Sequence, residues 1–468
     1  MNRKVLIIGA GMGGLTAALR LARRGFSVQI IEARNEAGGL ASGGEIEGLS
    51  FDAGPYILLD RPGLEAAFQA VGLELADQIE LRRIESVYEV RSQEGAVCRF
   101  FADEAETAAG FEHDWPGSGA RYRRFIAGTR HTYERLRPLL QRSRPTPLDL
   151  LRAGAWREAP FLLRSLGVVL ARTGLPRPIQ NAIGIWTHIA GEGMNSAPSP
   201  LAFVPSLIHT AGAYYPVGGI HAIPRVLTAA AVHAGVDFRY DTSIRTIRSE
   251  AGRVTGAETT AGEFVPADAI ISNAGGIGTY CELLDAPPPT RERLARLPLQ
   301  SPGVCAYLAV RGTPKPPYLR FSLPGGDELC RLLIQPAVMD AGLTRDGWQP
   351  ARLLSPMRHE TAERLGEAGQ RAYLDKMLAE TWWREGIAEF RVLATRAPTD
   401  WGAQFHLYRD SMNPVMTARF MRQGRLAHRS PYVRGLYLAG SATHPGQWVS
   451  FCALSGILAA DCVCEDSG

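Results

Sequence analysis

Lys4-Val-Leu-Ile-Ile-Gly-Ala-Gly-Met-Gly-Gly14 joins a short apolar run directly to a glycine-rich loop. An apolar run of this length predicts a strand that is buried on both faces. Residues 15–24 follow with apolar side chains on one helical face, and Gly25 suits the left-handed end of such a helix. Residues 27–31 predict a second strand, which Glu32 closes. The order of these features predicts a dinucleotide-binding β-α-β unit.

Each conspicuous glycine of this loop has its own steric reason. Gly9 permits the tight turn from strand to helix, Gly11 lets the backbone approach a pyrophosphate, and Gly14 lets the helix pack closely on the strand. The amides at the start of the helix favour phosphate charge. Glu32 can accept hydrogen bonds from the hydroxyls of an adenosine ribose, and its charge disfavours a 2′-phosphate. At this point the ligand could be either NAD or FAD.

A second glycine-rich loop follows the acid, where an NAD-binding domain would continue into its next helix. Residues 34–44 contain Gly38-Gly39, and residues 51–56 are Phe-Asp-Ala-Gly-Pro-Tyr. A chain that lays a second backbone loop along its ligand favours a longer, extended dinucleotide.

Two later parts of the chain carry related patterns. An apolar helical stretch at 220–234 precedes residues 236–274, whose alternating apolar residues and glycine turns predict a β-meander that returns to the parallel sheet. Near the C-terminus, residues 435–440 predict a buried strand that ends in glycine. The turn Thr443-His444-Pro445-Gly446 comes next, and residues 451–461 predict a final helix.

Together these patterns resemble the phytoene-desaturase-type branch of the amine-oxidase-like flavoproteins. The resemblance rests on the two glycine loops, on Phe51-Asp52-x-Gly54-Pro55 and on the C-terminal strand and turn. It implies that FAD is the cofactor. Glu32 would hold the ribose, Gly38-Gly39 would run along the pyrophosphate and ribityl chain, and Gly54-Pro55 would approach the isoalloxazine.

The same resemblance assigns further cofactor contacts. The backbone around Ile244 would contact the adenine, and the start of the last helix would lie beside the flavin. The positive dipole end of that helix would stabilise the anion of reduced flavin. The full set of implied FAD contacts is Gly9, Gly11, Met12, Gly13, Gly14, Glu32, Ala33, Arg34, Gly38, Gly39, Leu40, Gly54, Pro55, Ile244, Asn273, Gly440, Ser441, Gly446, Trp448 and Val449.

Three positions depart from patterns of related flavoproteins. Leu40 stands where this branch usually has arginine after the Gly-Gly pair, which removes one expected phosphate or flavin contact. Ser441 stands where many amine oxidases carry an acidic residue, and so favours the desaturase-like branch. Trp448 is bulky where the carotenoid enzymes usually have small residues, so it would narrow the substrate space near the flavin.

The predicted fold class is α/β, with a Rossmann-like FAD-binding domain that consists of a parallel sheet plus a β-meander. A second, α+β substrate domain is formed by two insertions. With 468 residues the chain exceeds the usual size of one core. We expect the FAD-binding domain at residues 1–78, 213–288 and 425–468, and the substrate domain at residues 79–212 and 289–424.

Composition excludes several other classes of function. The net charge of +4 is small, and no run of basic residues supports a nucleic-acid partner. The seven cysteines form no C-x-x-C pair and no zinc-ligand spacing, which predicts free thiols, a reducing compartment and no metal. Neither a signal peptide nor an apolar stretch of about 18 residues is found. We therefore expect a cytoplasmic protein, and the sequence leaves its oligomeric state open.

Residues 147–176 are rich in Leu, Val, Phe and Arg. Apolar stripes at helical spacing predict helices that pack on the domain core. An amphipathic surface that docks on a membrane and admits a lipophilic substrate is the alternative.

The resemblance implies desaturation of a lipophilic isoprenoid, carotenoid-like or polyene substrate by hydride transfer to flavin N5. Such a reaction needs few charged catalytic residues. We hypothesise that His444 or Tyr215 assists it. The alternatives are a saturase, reductase or isomerase acting on the same substrates, a flavin amine oxidase, and a non-enzymatic prenyl-binding module.

Overall fold

Five parallel strands form the sheet that the N-terminal sequence predicts. In the computed structural model, which describes residues 3–284, 286–326 and 328–467, the first strand lies at the centre of this sheet and pairs on both sides. The first two strands span the predicted residues, and every residue of the first strand after Lys4 is buried. Across the sheet the order is Leu436–Leu438, Ala269–Ser272, Lys4–Ile8, Ser27–Ile31 and Asp237–Arg239.

Helices flank the parallel sheet, and two of them pack on each other. The first helix, Met12–Ala22, begins earlier than predicted because Gly11 has extended backbone angles and serves as its N-cap. The last helix, Val449–Glu465, is longer than predicted at both ends. The hydroxyl of Thr16 donates to the carbonyl oxygen of Ala453 at 2.8 Å, which joins these two helices. Two further helices of this layer are Arg61–Ala70 and Ala222–His233.

The predicted β-meander is confirmed. Three antiparallel strands, Ile244–Glu250, Arg253–Thr259 and Phe264–Pro266, follow one another with short turns. The next strand, Ala269–Ser272, returns to the parallel sheet between the first strand and the C-terminal one.

A seven-stranded mixed sheet forms the second layer of the protein. Its strands come from both predicted insertions. Leu319–Ser322 pairs in parallel with Ser86–Arg91, and the other neighbours are antiparallel. The order is Ile387–Arg396, Val304–Gly312, Gln349–Ser355, Arg331–Ile334, Leu319–Ser322, Ser86–Arg91 and Val97–Phe101.

Helices of the first insertion pack on one end of this sheet around aromatic rings. Tyr88 stacks on Phe100 with 4.2 Å between the ring centroids, and Phe111 and Tyr122 contact Phe100 edge-on. These helices are Glu104–Asp114, Ser118–Leu136, Arg177–Ile189 and Phe203–Thr210. The predicted fold class is therefore confirmed, and the five domain boundaries stay a prediction.

The remaining elements are short or lie at the periphery. Two-stranded pairs are Gly43–Ile46 with Leu49–Asp52, Leu81–Arg83 with Tyr214–Pro216, and Leu299–Gln300 with Asn413–Pro414. Further helices are Leu75–Gln78, Gly276–Gly278, Thr279–Leu283, Pro288–Ala295, His359–Ala379, Pro398–Phe405 and Ala418–Gln423.

Residues 147–176 form short helices, Pro147–Arg152, Ala159–Leu162 and Leu166–Ala171. The first contributes no buried side chain, whereas Leu166 and Leu170 of the last are fully buried. The packing predicted for this stretch is therefore confirmed for its last helix, whereas the first helix packs on the core only through the partly buried Leu150. No helix within the described residues has the length and apolarity needed to cross a membrane.

Candidate functional site

One elongated cavity of about 650 Å³ lies where the parallel sheet meets the seven-stranded sheet. Ligands of open parallel sheets bind beyond the carboxyl ends of the strands. Arg352 of the seven-stranded sheet also lines the cavity. Four residues of the wall lie at or just after strand ends of the parallel sheet: Ile8, Ile31, Asn273 and Ala439.

The first glycine loop turns the chain from strand to helix beside this cavity. Gly9 has a φ of 93°, in the region that favours glycine, and its amide donates to the carbonyl oxygen of Ile31 at 2.8 Å. A Cβ on Gly14 would collide with the carbonyl oxygen of Gly9. Gly14 is therefore needed for helix packing behind the wall.

The first helix directs its N-terminus at the cavity. Gly11, Met12 and Gly13 line the wall, and no side chain caps this helix end. The unpaired amides of a first helical turn and the helix dipole both favour negative charge. This part of the cavity suits a phosphate group.

Glu32 closes the second strand on the same wall and is buried. One of its carboxylate oxygens accepts a hydrogen bond from the amide of Ala10 at 2.7 Å, and the other accepts from the amide of Arg34 at 3.0 Å. An ionised carboxylate offers about four lone-pair sites. Acceptor capacity is therefore left for hydroxyl donors in the cavity.

The second glycine loop lies against the first. The amide of Gly38 donates to the carbonyl oxygen of Ala10 at 2.8 Å, and a Cβ on Gly39 would lie 3.2 Å from Cα of Gly11. A Cβ on Gly54 would lie 2.5 Å from the carbonyl oxygen of Leu40. The two loops and the Gly54 segment therefore form one continuous backbone wall, as a long dinucleotide requires.

The segments at Asn273 and Gly440 complete this wall. A Cβ on Gly11 would lie 2.7 Å from Nδ2 of Asn273, and a Cβ on Gly440 would lie 2.8 Å from its Oδ1. Trp448 and Val449, at the start of the last helix, also line the cavity. Segments that are far apart in the sequence thus converge on one site.

The structure brings most of the predicted FAD contacts together. Gly14 and Gly446 are not among the residues that line the cavity. The contacts of the whole set with a cofactor stay a prediction. The members that line the cavity are Gly9, Gly11, Met12, Gly13, Glu32, Ala33, Arg34, Gly38, Gly39, Leu40, Gly54, Pro55, Ile244, Asn273, Gly440, Ser441, Trp448 and Val449.

The two residues predicted to assist catalysis are also not among the lining residues. Nε2 of His444 lies 3.0 Å from the carbonyl oxygen of Leu139, and burial lowers the pKa of this histidine to about 4. The buried ring of Tyr215 contacts Tyr318 edge-on, with 6.0 Å between the centroids. These contacts account for both side chains structurally. Their catalytic role stays a prediction, which their location does not favour.

Arg352 is a wall residue that the sequence analysis missed. Its guanidinium donates to the carbonyl oxygens of Ala53 and Gly54 at 2.7 and 3.1 Å. No motif marks this arginine, because its strand reaches the site only through long-range sheet pairing.

Asp60 is a second missed residue of the wall. It accepts hydrogen bonds from the hydroxyl of Ser450 at 2.9 Å and from the amide of Gly63 at 3.1 Å, as the N-cap of the helix Arg61–Ala70. Burial raises the pKa of its carboxyl group. An aspartate two residues before a proline is a helix-start pattern that could have identified this cap.

Beyond Gly54 and Pro55 the cavity becomes apolar. Its side chains there come from the segment after Pro55, from the helix Arg177–Ile189 and from residues 201–204. Such a lining suits an apolar substrate. The residues are Tyr56, Ile57, Leu59, Trp186, Ile189, Leu201 and Val204.

The site fits a flavin dinucleotide. An uncapped helix start faces one region of the cavity, a buried carboxylate with free acceptor capacity lies beside it, and two glycine loops pack so closely that a Cβ would crowd neighbouring protein atoms. The apolar region then continues from the end of the glycine wall. An extended ligand with phosphate and hydroxyl groups along the glycine wall and an apolar part at its other end matches this order of groups.

Comparisons with known proteins agree with this geometry. Residues 12–298 match the family model described as flavin containing amine oxidoreductase. The zeta-carotene-forming phytoene desaturase of Myxococcus xanthus is 27% identical over 95% of this chain and 90% of that protein. The phytoene dehydrogenase of Streptomyces griseus is 30% identical over 98% of this chain and 94% of that protein. An oxidoreductase from Methanosarcina mazei shares the fold with a TM-score of 0.66 at 17% identity, over 97% of this chain and 99% of that one.

Proposed function

Because the chain belongs to the flavin-containing amine oxidoreductases, a family of flavin-dependent redox enzymes, we propose that it binds FAD and desaturates a lipophilic polyene of the isoprenoid or carotenoid type. Its relatives include a phytoene desaturase and a phytoene dehydrogenase, each matched over nearly the whole chain. The observation that carries the proposal is a single cavity in which a glycine-lined, polar region continues into an apolar one.

The glycine-lined region would hold the cofactor. The first-turn amides of the helix Met12–Ala22 would bind the pyrophosphate, and Glu32 would accept from the ribose hydroxyls. FAD, when bound, supplies the acceptor for a hydride that leaves a substrate C–H bond. The chain itself therefore has to position the ring, align the substrate and exclude water.

The apolar region would hold the substrate chain. Trp186 and Ile189 on one helix and Tyr56 next to Pro55 line it, so that an alkyl or polyene chain can lie against the expected ring position without meeting water. Trp448 also lines the cavity and stacks on Phe451 with 5.0 Å between the centroids. This stacking fixes the indole ring that would limit the width of the substrate space.

An amine substrate is a weaker match to this wall. Ser441, not an acid, follows Gly440, and most side chains beyond Pro55 are apolar. Asp60 also lines the cavity, but its carboxylate already accepts hydrogen bonds from Ser450 and Gly63. A saturase or isomerase would use the same wall as a desaturase, so the direction of the reaction has to be measured.

An absorption spectrum of the purified protein, followed by anaerobic titration, tests the proposal. We expect a yellow protein that releases FAD on denaturation and bleaches with phytoene-type polyenes but not with alkylamines. A reduced sample mixed with a fully conjugated carotene would reoxidise only if the enzyme works as a saturase. Absence of flavin, or bleaching by amines alone, would overturn the proposed function.

We also propose that residues 147–171 contact an anionic membrane that supplies the lipophilic substrate. Half of the exposed large apolar side chains of the described residues lie here: Leu148, Leu151, Trp156, Leu163 and Val168. Residues 142–172 contain six arginines but only two acidic residues. Apolar side chains among basic ones match the interface of an anionic bilayer.

A further inference from the structure

Arg352 is a buried cation on the cavity wall. Only 5% of its surface is exposed, and it lies in the strand Gln349–Ser355 of the seven-stranded sheet. Two of its guanidinium nitrogens donate to the backbone carbonyl oxygens of Ala53 and Gly54, and its Nε has no hydrogen-bond partner in the described structure.

The protein gives this charge no carboxylate partner among the described residues. The other lining arginine, Arg34, forms an ion pair with Glu36. Asp52 precedes Ala53 in the chain, but its carboxylate accepts from the backbone amide of His221 at 3.0 Å and lies 2.7 Å from Nδ1 of that histidine. A buried guanidinium that stays charged and unpaired is unfavourable. The guanidinium also lies over the ring of Tyr307, 5.7 Å from its centroid, and its pKa is raised because Cys305, Tyr307 and Asp52 outweigh the effect of burial. It is thus a buried cation without a direct ion pair, which negative charge in the cavity could approach.

The contacts of Arg352 define where that negative charge would lie. Gly54, which accepts from the guanidinium, is in contact with Leu40, and Leu40 follows Gly39, which lies against Gly11 at the helix start. Arg352 is thus separated from the phosphate-binding helix end by the whole second glycine loop. It lies at the Gly54-Pro55 end of the wall, where the apolar region begins.

We propose that Arg352 faces the flavin ring and stabilises the negative charge that the ring gains on reduction. It would thereby replace the arginine that related flavoproteins usually have at the position of Leu40. The inference rests on the proposed FAD site. Hydride transfer from substrate adds two electrons and one proton to the flavin, so the bound ring gains one negative charge. A fixed cation in a dry site favours that product over the oxidised ring.

Three variants test the assignment. Arg352→Gln removes the charge but keeps an amide donor for Ala53 or Gly54, Arg352→Lys keeps the charge, and Arg352→Gln combined with Leu40→Arg returns a cation from the other side of the wall. Arg396→Gln is the matched control, because Arg396 lies over the same Tyr307 ring as Arg352 but is not among the lining residues.

Sulfite affinity and the two-electron midpoint potential are the readouts, since both report on negative charge in the ring without turnover. For Arg352→Gln we expect about tenfold weaker sulfite binding, and a midpoint potential lower by about 30 mV for a tenfold loss of preference for the reduced state. Arg352→Lys and the double variant should recover most of both effects, and Arg396→Gln should leave both unchanged.

Flavin content separates the possible failures. If the wild-type protein holds no flavin, the proposed function fails and the inference fails with it. If the wild type is yellow but Arg352→Gln loses FAD affinity with its sulfite affinity and potential unchanged, Arg352 contacts the phosphate side and the ring assignment is overturned. Equal shifts in Arg396→Gln would overturn it as well. If Arg352→Gln does not fold, Arg352→Met removes the same charge with a side chain of similar length. Shifts of the same sign in both readouts would support the proposal, and wild-type values would contradict it.

Discussion

At the scale of single residues, Glu192 differs from the other buried carboxylates of the described structure because both of its oxygens lack hydrogen-bond partners. It lies in the loop after the helix Arg177–Ile189, only 3% of its surface is exposed, and neither carboxylate oxygen accepts a hydrogen bond in the described structure. Burial raises its pKa from the ordinary value of 4.5 to about 7, although the neighbouring Ser196 and the charge of Arg358 oppose this shift. The folded protein therefore holds this proton more tightly than the unfolded chain does.

The stability of the protein should depend on this proton. The stabilisation is complete below the unfolded pKa of 4.5 and is lost as the pH rises through about 7, because the folded state must then bury a charge. We expect Glu192→Gln to gain about 1–3 kcal/mol over the wild type between about pH 5 and about pH 8. Chemical denaturation at both pH values measures this, with exposed Glu360→Gln as the control. Parallel pH profiles for wild type and Glu192→Gln would contradict the prediction.

At the scale of elements, the short helices within residues 147–171 carry the proposed membrane contact. Leu151 and Leu163 are 57% and 60% exposed, so aspartate at both positions should leave the fold intact and repel anionic lipid. We expect the double variant to lose most of its flotation with anionic liposomes. Val232→Asp with Phe264→Asp, at sites that are 60% and 50% exposed elsewhere, is the matched control. Equal flotation of both double variants would remove this surface from consideration.

The same elements show how far the sequence could lead. Strands Lys4–Ile8 and Ser27–Ile31 were predictable to the residue, because glycines and a charged residue bound short apolar runs buried on both faces. The helix Pro147–Arg152 was not, since an apolar stripe is the same whether it meets a core or remains exposed. Arg352 also could not be predicted, because its place on the wall depends on pairing between strands far apart in sequence.

At the scale of the whole molecule, the cavity is a junction between the two sheets. Its walls come from the first glycine loops, from the start of the β-meander, from the seven-stranded sheet and from the last helix. Local glycine motifs made the first of these walls predictable. The position of the other walls depends on how the two sheets pack, which periodicity and motifs do not specify.

Removal of the cofactor should therefore destabilise both sheets together. A ligand that binds only the folded state adds about 2.7 kcal/mol of stability at one hundred times its dissociation constant. We expect the flavin-free protein to unfold at a lower temperature than the FAD-loaded protein, and added FAD, but not AMP, to restore most of the difference. Trp186, Trp401 and Trp448 line the cavity from different elements, so tryptophan fluorescence reports on several of its walls.

We further expect hydrogen exchange to slow on FAD binding in Lys4–Ile8 of the parallel sheet and in Gln349–Ser355 of the second sheet, because the cavity joins them. Protection confined to the parallel sheet would show that the second sheet closes the cavity without being stabilised by its ligand.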